Sequence, residues 1–102
     1  MQLKKILFPC DLKESSFTAL YHAAHLAKLS GAEILLLHLE FSDNALEASK
    51  QSLDAWVERM KAFYPGAVSA YVRKGGVVGE IPAFAKEHEC GLIIMPTHGM
   101  RG

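Results

Sequence analysis

The sequence predicts an α/β domain built on an open parallel sheet. Three observations carry that prediction. Apolar runs of strand length recur along the chain: "KKILFP" (Lys4 to Pro9), "EILLLHLEF" (Glu33 to Phe41) and "LIIM" (Leu92 to Met95). The stretches between them show helical periodicity, and helix-capping and turn residues separate the two kinds. Strands that alternate with helices pair in parallel through right-handed crossovers.

The first strand is apolar on both faces once past its lysines. "SSFTALYHAAHLAKLSGA" follows, with Phe17, Leu20, Tyr21, Ala24 and Ala27 spaced to share one helix face. Ser15 or Ser16 is expected to cap its start, and Gly31 suits the position just past its end. After the second apolar run, Ser42 or Asp43 is expected to open a second helix. Leu46, Leu53, Val57, Met60 and Tyr64 form its stripe, and Pro65-Gly66 ends it. "AVSAYVRKG" (Ala67 to Gly75) differs from the other strands. Val68, Ala70 and Val72 alternate with Ser69, Tyr71 and Arg73, which suits a less buried edge strand. A short helix, roughly Gly79 to Glu89, is expected next, with Pro82 in the first turn, where a missing N–H costs least. The uniformly apolar "LIIM" reads as a strand of central type, buried on both faces, after which another helix and strand are expected.

Composition narrows the function. The chain has 102 residues, enough for one domain, spanning 1–102. Eleven basic residues balance eleven acidic ones, so no charge excess points to nucleic acid. No segment has signal-peptide form or membrane-spanning length, which predicts a cytoplasmic protein without a membrane partner. Cys10 and Cys90 fall at opposite ends of parallel strands, which argues against a disulfide, and no Cys/His spacing resembles a zinc site. Cys10 reads as a buried, inert thiol. His22 and His25 read as exposed, and Trp56 as a packing residue.

Ligands of open parallel sheets sit beyond the carboxyl ends of the strands, where strand order reverses. Those ends are Pro9-Cys10-Asp11, His38-Leu39-Glu40 and Met95-Pro96-Thr97-His98-Gly99. A crevice between the first and fourth strands would gather Asp11, Thr97, His98 and the amides near Gly99. Asp11 can equally cap the first helix or its turn. Gly75-Gly76-Val77-Val78-Gly79 lacks the Lys-Ser/Thr ending of a P-loop and reads as a turn from edge strand to helix.

"ILFPCDL", "SGAEILLLHL" and "KEHECGLIIMPTHGMRG" together resemble the universal stress protein family, in order and spacing across the whole chain. The resemblance implies a flavodoxin- or Rossmann-like sheet of order 3-2-1-4-5, with four strands (3-2-1-4) here. The family's fifth strand and phosphate turn would fall beyond Gly102, so the chain reads as C-terminally truncated relative to the family. Many members bind ATP through Gly-x2-Gly-x9-Gly-Ser/Thr, which starts at the fourth strand's end. Here Gly99 holds the second glycine position and Pro96 the first. The implied adenosine-side positions are Asp11 with its neighbours Pro9 and Cys10, the Leu39 backbone and Met95; Thr97, His98 and Gly99 would complete the site. The resemblance thus implies a stress-response or signalling domain binding ATP or another adenine nucleotide, with magnesium accompanying it. At most it implies slow ATP hydrolysis, since no catalytic set assembles. The alternatives are a dimerisation or interaction module of the same family, which would pair as a homo-oligomer through Leu92 to Met95, and a small hydrolase-like enzyme using His98 and Asp11.

Overall fold

The computed structural model describes residues 3–96; Thr97, His98 and Gly99 lie outside the described residues. Its elements alternate as the sequence predicts: β1 (Lys5–Pro9), α1 (Glu14–Ser30), β2 (Glu33–Glu40), α2 (Leu46–Met60), β3 (Val68–Lys74), α3 (Val77–Glu87) and β4 (Leu92–Ile93). The four strands are parallel in the order β3-β2-β1-β4. The chain steps from β1 to β2 and β3 on one side, then crosses to β4 on the other.

Strand parity distributes the core. Ile6 and Phe8 of β1 and Ile34 and Leu36 of β2 face α1 and α2, where they meet Phe17, Leu20, Leu53, Trp56 and Met60. Leu7, Leu35 and Leu37 face the other way, against Ile81 and Phe84 of α3. Both faces of β1 and β2 are therefore buried, which is why those strands read as unbroken apolar runs. Trp56 packs edge-on against Phe17, with ring centroids 5.0 Å apart. Gly31 closes α1 in the left-handed conformation (φ 73°), with its N–H on the Ala27 carbonyl. No helix among the described residues is long and apolar enough to cross a membrane.

Several local expectations need correction. Neither Ser15 nor Ser16 caps α1. Lys13 occupies that position, and the acceptor comes from Asp11, whose Oδ1 takes the Lys13 N–H at 2.9 Å. Tyr21 is half exposed and stacks on Phe63 instead of entering the core. Ser42 does cap, but it caps a single 3-10 turn, Asp43–Ala45, that leads into α2. That helix ends at Met60, well before Pro65-Gly66. Pro82 stands inside α3, past its first turn, because that helix starts at Val77. β3 lies at the sheet edge as its alternation predicts. β4 is two residues long, and Ile93 is 38% exposed, so "LIIM" is not buried on both faces among the described residues.

The brevity of β4 has a covalent cause. The Ile94 N–H donates to the Leu7 carbonyl at 2.9 Å. The next two rungs of a parallel ladder would need N–H groups from Pro9 and then from Pro96. Proline has none. The two strands therefore part at the prolines, directly above the reversal point of the sheet.

Candidate functional site

A cleft of about 160 Å3 opens where β1 and β4 part. Pro9, Cys10 and Asp11 from the end of β1 line it, with Leu37, His38 and Leu39 from β2, Val77 and Ile81 from α3, and Met95 and Pro96 after β4. The structure thus brings together Pro9, Cys10, Asp11, Leu39 and Met95 of the positions proposed from sequence. Pro96, in the first glycine position, is buried at the cleft wall.

The β1–α1 turn is built around Asp11. Oδ1 accepts from the Lys13 N–H, and Oδ2 accepts from the Ser16 hydroxyl at 3.0 Å. Each oxygen keeps a further acceptor site. Leu12 has φ 63°, a left-handed conformation that a non-glycine residue adopts at a cost of about 1–2 kcal/mol. The Asp11 bonds on either side hold that strained residue in place.

The conformation of this turn decides which backbone groups face the cleft. The odd residues of β2 direct their amides toward β1, as Glu33 and Leu37 show by bonding Lys4 and Cys10. Even residues face β3, as Glu40 does by accepting from Gly75. Cys10 N–H to the Leu37 carbonyl, at 2.7 Å, is the last regular rung between β1 and β2. Two further rungs would follow, from Leu39 N–H to the Cys10 carbonyl and from Leu12 N–H to the Leu39 carbonyl. Neither forms. The Cys10 carbonyl lies 2.7 Å from His38 Nδ1 instead. Leu39 is left with a donor and an acceptor side by side, unpaired among the described residues, at the rim of the cleft.

His38 is the principal site residue that sequence reasoning missed. Its Nε2 lies 2.7 Å from Glu40 Oε2, which also accepts from the Ser49 hydroxyl at 2.6 Å. The Ser49 and His38 bonds hold the Glu40 carboxyl below the usual carboxylate range. Ser49 donates to the glutamate and not to the histidine, so the three do not form a nucleophile–base pair. Only a histidine at the end of a predicted strand hinted at this chain of contacts. Leu37, Val77 and Ile81 carry no chemical signal; register and helix phase alone bring them to the cleft. The glycine stretch turns β3 into α3 as expected, with Gly76 capping the helix.

Cys10 is buried, and burial pushes its thiol up to about 12. Cys90 is half-buried with its thiol raised in the same direction, and both are free. In the folded protein a thiol reagent at mildly alkaline pH should label Cys90 and spare Cys10 until denaturant is added. Mass mapping of the labelled peptides checks this; labelling of Cys10 at the Cys90 rate would contradict it. His22 and His25 are exposed, and no metal-ligating cluster exists among the described residues.

The fold and site define an open parallel α/β domain with a small, mostly apolar cleft at the reversal of strand order. The chain belongs to the universal stress protein family, whose model matches residues 2–102. No curated protein sequence matches the chain. Among solved structures, a member of the family from Burkholderia pseudomallei is similar with a TM-score of 0.78 and 22% identity, covering 95% of this chain and 83% of its own. The universal stress protein from Archaeoglobus fulgidus in complex with dAMP gives 0.77 at 20% identity, covering 93% and 82%. A universal stress protein in complex with cAMP gives 0.76 at 20%, covering 91% and 71%. At such identities the likeness concerns the fold.

Proposed function

We propose that this chain, as one α/β unit over residues 1–102, binds an adenine nucleotide or nucleoside at the β1–β4 cleft and serves as a cytoplasmic stress-response or signalling domain. The observation that carries this reading is the free Leu39 amide at the rim of a ring-sized cleft. Adjacent donor and acceptor groups of one peptide strand match the adjacent acceptor and donor on the edge of adenine. The cleft volume of about 160 Å3 compares with the ~150 Å3 apolar cavity that takes up benzene, so it holds a base and leaves sugar and phosphate outside. Asp11, with acceptor capacity to spare, suits the hydroxyls of a ribose. The dAMP and cAMP complexes of similar structures support the choice of adenine. Thr97, His98 and Gly99 follow the cleft wall in sequence and would extend the site toward phosphate, with magnesium accompanying ATP. Pro96 offers no N–H there, so the base and ribose supply most of the affinity.

Thermal melting with adenosine, AMP, cAMP and magnesium–ATP, against GMP as control, tests this. A ligand at 100 times its Kd adds about 2.7 kcal/mol. Stabilisation by the adenine compounds and not by GMP is expected; no shift at millimolar ligand would overturn the reading.

A second reading rests on β4. Ile93 is 38% exposed on the outer strand of the sheet, and an apolar edge invites pairing with another copy. A homodimer through Leu92 to Met95 is the association expected, and a monomer in sedimentation at high concentration would dismiss it.

A further inference from the structure

His38 does more than line the cleft. The Cys10 carbonyl is the group that would accept the Leu39 N–H if the β1–β2 ladder ran one rung further. It is instead engaged by His38 Nδ1 at 2.7 Å. We propose that His38 is the positioning residue of the site: its ring holds the Cys10 carbonyl out of the ladder and so keeps the Leu39 amide free for a ligand. The ligand class rests on the adenine reading above; the competition for the carbonyl does not.

The bonding fixes the protons. A carbonyl oxygen only accepts, so Nδ1 carries hydrogen. Glu40 Oε2 already accepts from Ser49, and the Glu40 carboxyl is held in its ionised form, so Nε2 donates as well. Both ring nitrogens therefore bear protons, and the imidazolium is clamped between the β1–α1 turn and the end of β2. Among the described residues no other group bonds these protons. The turn contributes Cys10, whose thiol is neutral, and Asp11, whose bonds go to Lys13 and Ser16. From α2 comes Ser49, which donates to Glu40, while β3 places Val72 opposite His38. Val77 and Ile81 from α3 and Met95 and Pro96 after β4 bring no charge to the cleft.

The bonded arrangement needs an ionised Glu40 and both ring protons. If the Cys10 carbonyl is released, Leu39 N–H can take it, and the rung closes over the site. At strongly acid pH, below the lowered Glu40 range, the carboxylate side of the clamp is lost instead.

Amide hydrogen exchange without ligand tests the competition directly. In the wild type the Leu39 N–H should exchange at least tenfold faster than that of Leu37. In His38→Phe it should become protected by a similar factor. Unchanged exchange would overturn the proposal whether or not adenine binds. Glu40→Gln is a second, milder variant, which keeps the ring and weakens its hold; it should shift Leu39 exchange in the same direction. Nitrogen-15 spectra of the imidazole should show protons on both His38 nitrogens while the two bonds hold, and a neutral tautomer with both bonds intact would overturn the proton assignment. With AMP as probe, His38→Phe should bind about tenfold more weakly than the wild type. Loss of AMP binding with unchanged Leu39 exchange would reject the mechanism; changed exchange with no AMP binding at any pH would reject the adenine reading alone.

Discussion

Phe84→Ala should lower the stability of the domain by about 3–5 kcal/mol, the usual cost of emptying a buried phenylalanine site. Phe84 is fully buried and is, with Ile81, the means by which α3 reaches the sheet. Its ring meets Tyr71 edge-on at 5.0 Å, stacks on His88 at 4.0 Å and lies under the Arg73 guanidinium. All of these contacts disappear with the ring. Against a typical total of about 5–15 kcal/mol, such a loss leaves little reserve. The midpoint of thermal unfolding should drop by at least about 12 °C, since each kcal/mol is worth roughly 4–8 °C in a domain of this size. Urea unfolding followed by circular dichroism gives the free energy. Phe84→Leu should lose much less, because it keeps most of the volume. A loss under about 1 kcal/mol for the alanine variant would mean that α3 is held by something other than this ring. Because α3 also carries Val77 and Ile81 to the cleft, the alanine variant should lose ligand response as well.

Asp11→Asn should weaken binding of AMP or adenosine by tenfold or more. A hydrogen bond to a charged group contributes about 1.5–3 kcal/mol, and each 1.4 kcal/mol is a factor of ten in Kd. The asparagine oxygen still accepts from the Lys13 N–H, so the turn that holds Leu12 survives and folding should change little. Asp11→Ala removes that support too, and should cost about 1 kcal/mol of stability besides the affinity. Isothermal titration of both variants separates the two effects. Full affinity in Asp11→Asn would show that the carboxylate serves the turn alone.

The architecture was legible because the signals that predict it are non-local in effect but local in sequence. Uninterrupted apolar runs mean two covered faces, and β1 and β2 have them. Alternation from Val68 to Arg73 means an edge, and β3 is one. Asp11 was legible as a turn acceptor, and the structure shows its turn bonds directly and places it on the cleft wall. Boundaries were less legible. The start of α3 depends on Gly76 more than on Pro82, and a proline tolerated inside a helix looks in sequence like a proline that begins one. For His38 only its place at a strand end was legible, not its bonding. It depends on the Cys10 carbonyl and Glu40 converging on one ring from two strands. The free Leu39 amide likewise follows from the parity of β2 and the length of β1, neither of which any single residue announces.

Pro9 and Pro96 keep β1 and β4 apart, and the consequence reaches the kinetics of the cleft. A crevice kept open by side-chain packing can shut whenever the packing relaxes, and an empty site then spends time zipped. Here the missing hydrogens are absent in every conformation that the chain can visit. No fluctuation on any timescale can complete those two rungs, so on this side the strand ladder cannot zip the cleft shut. On the β2 side a rung can form and break, and there the competing acceptor is already in the grip of a histidine.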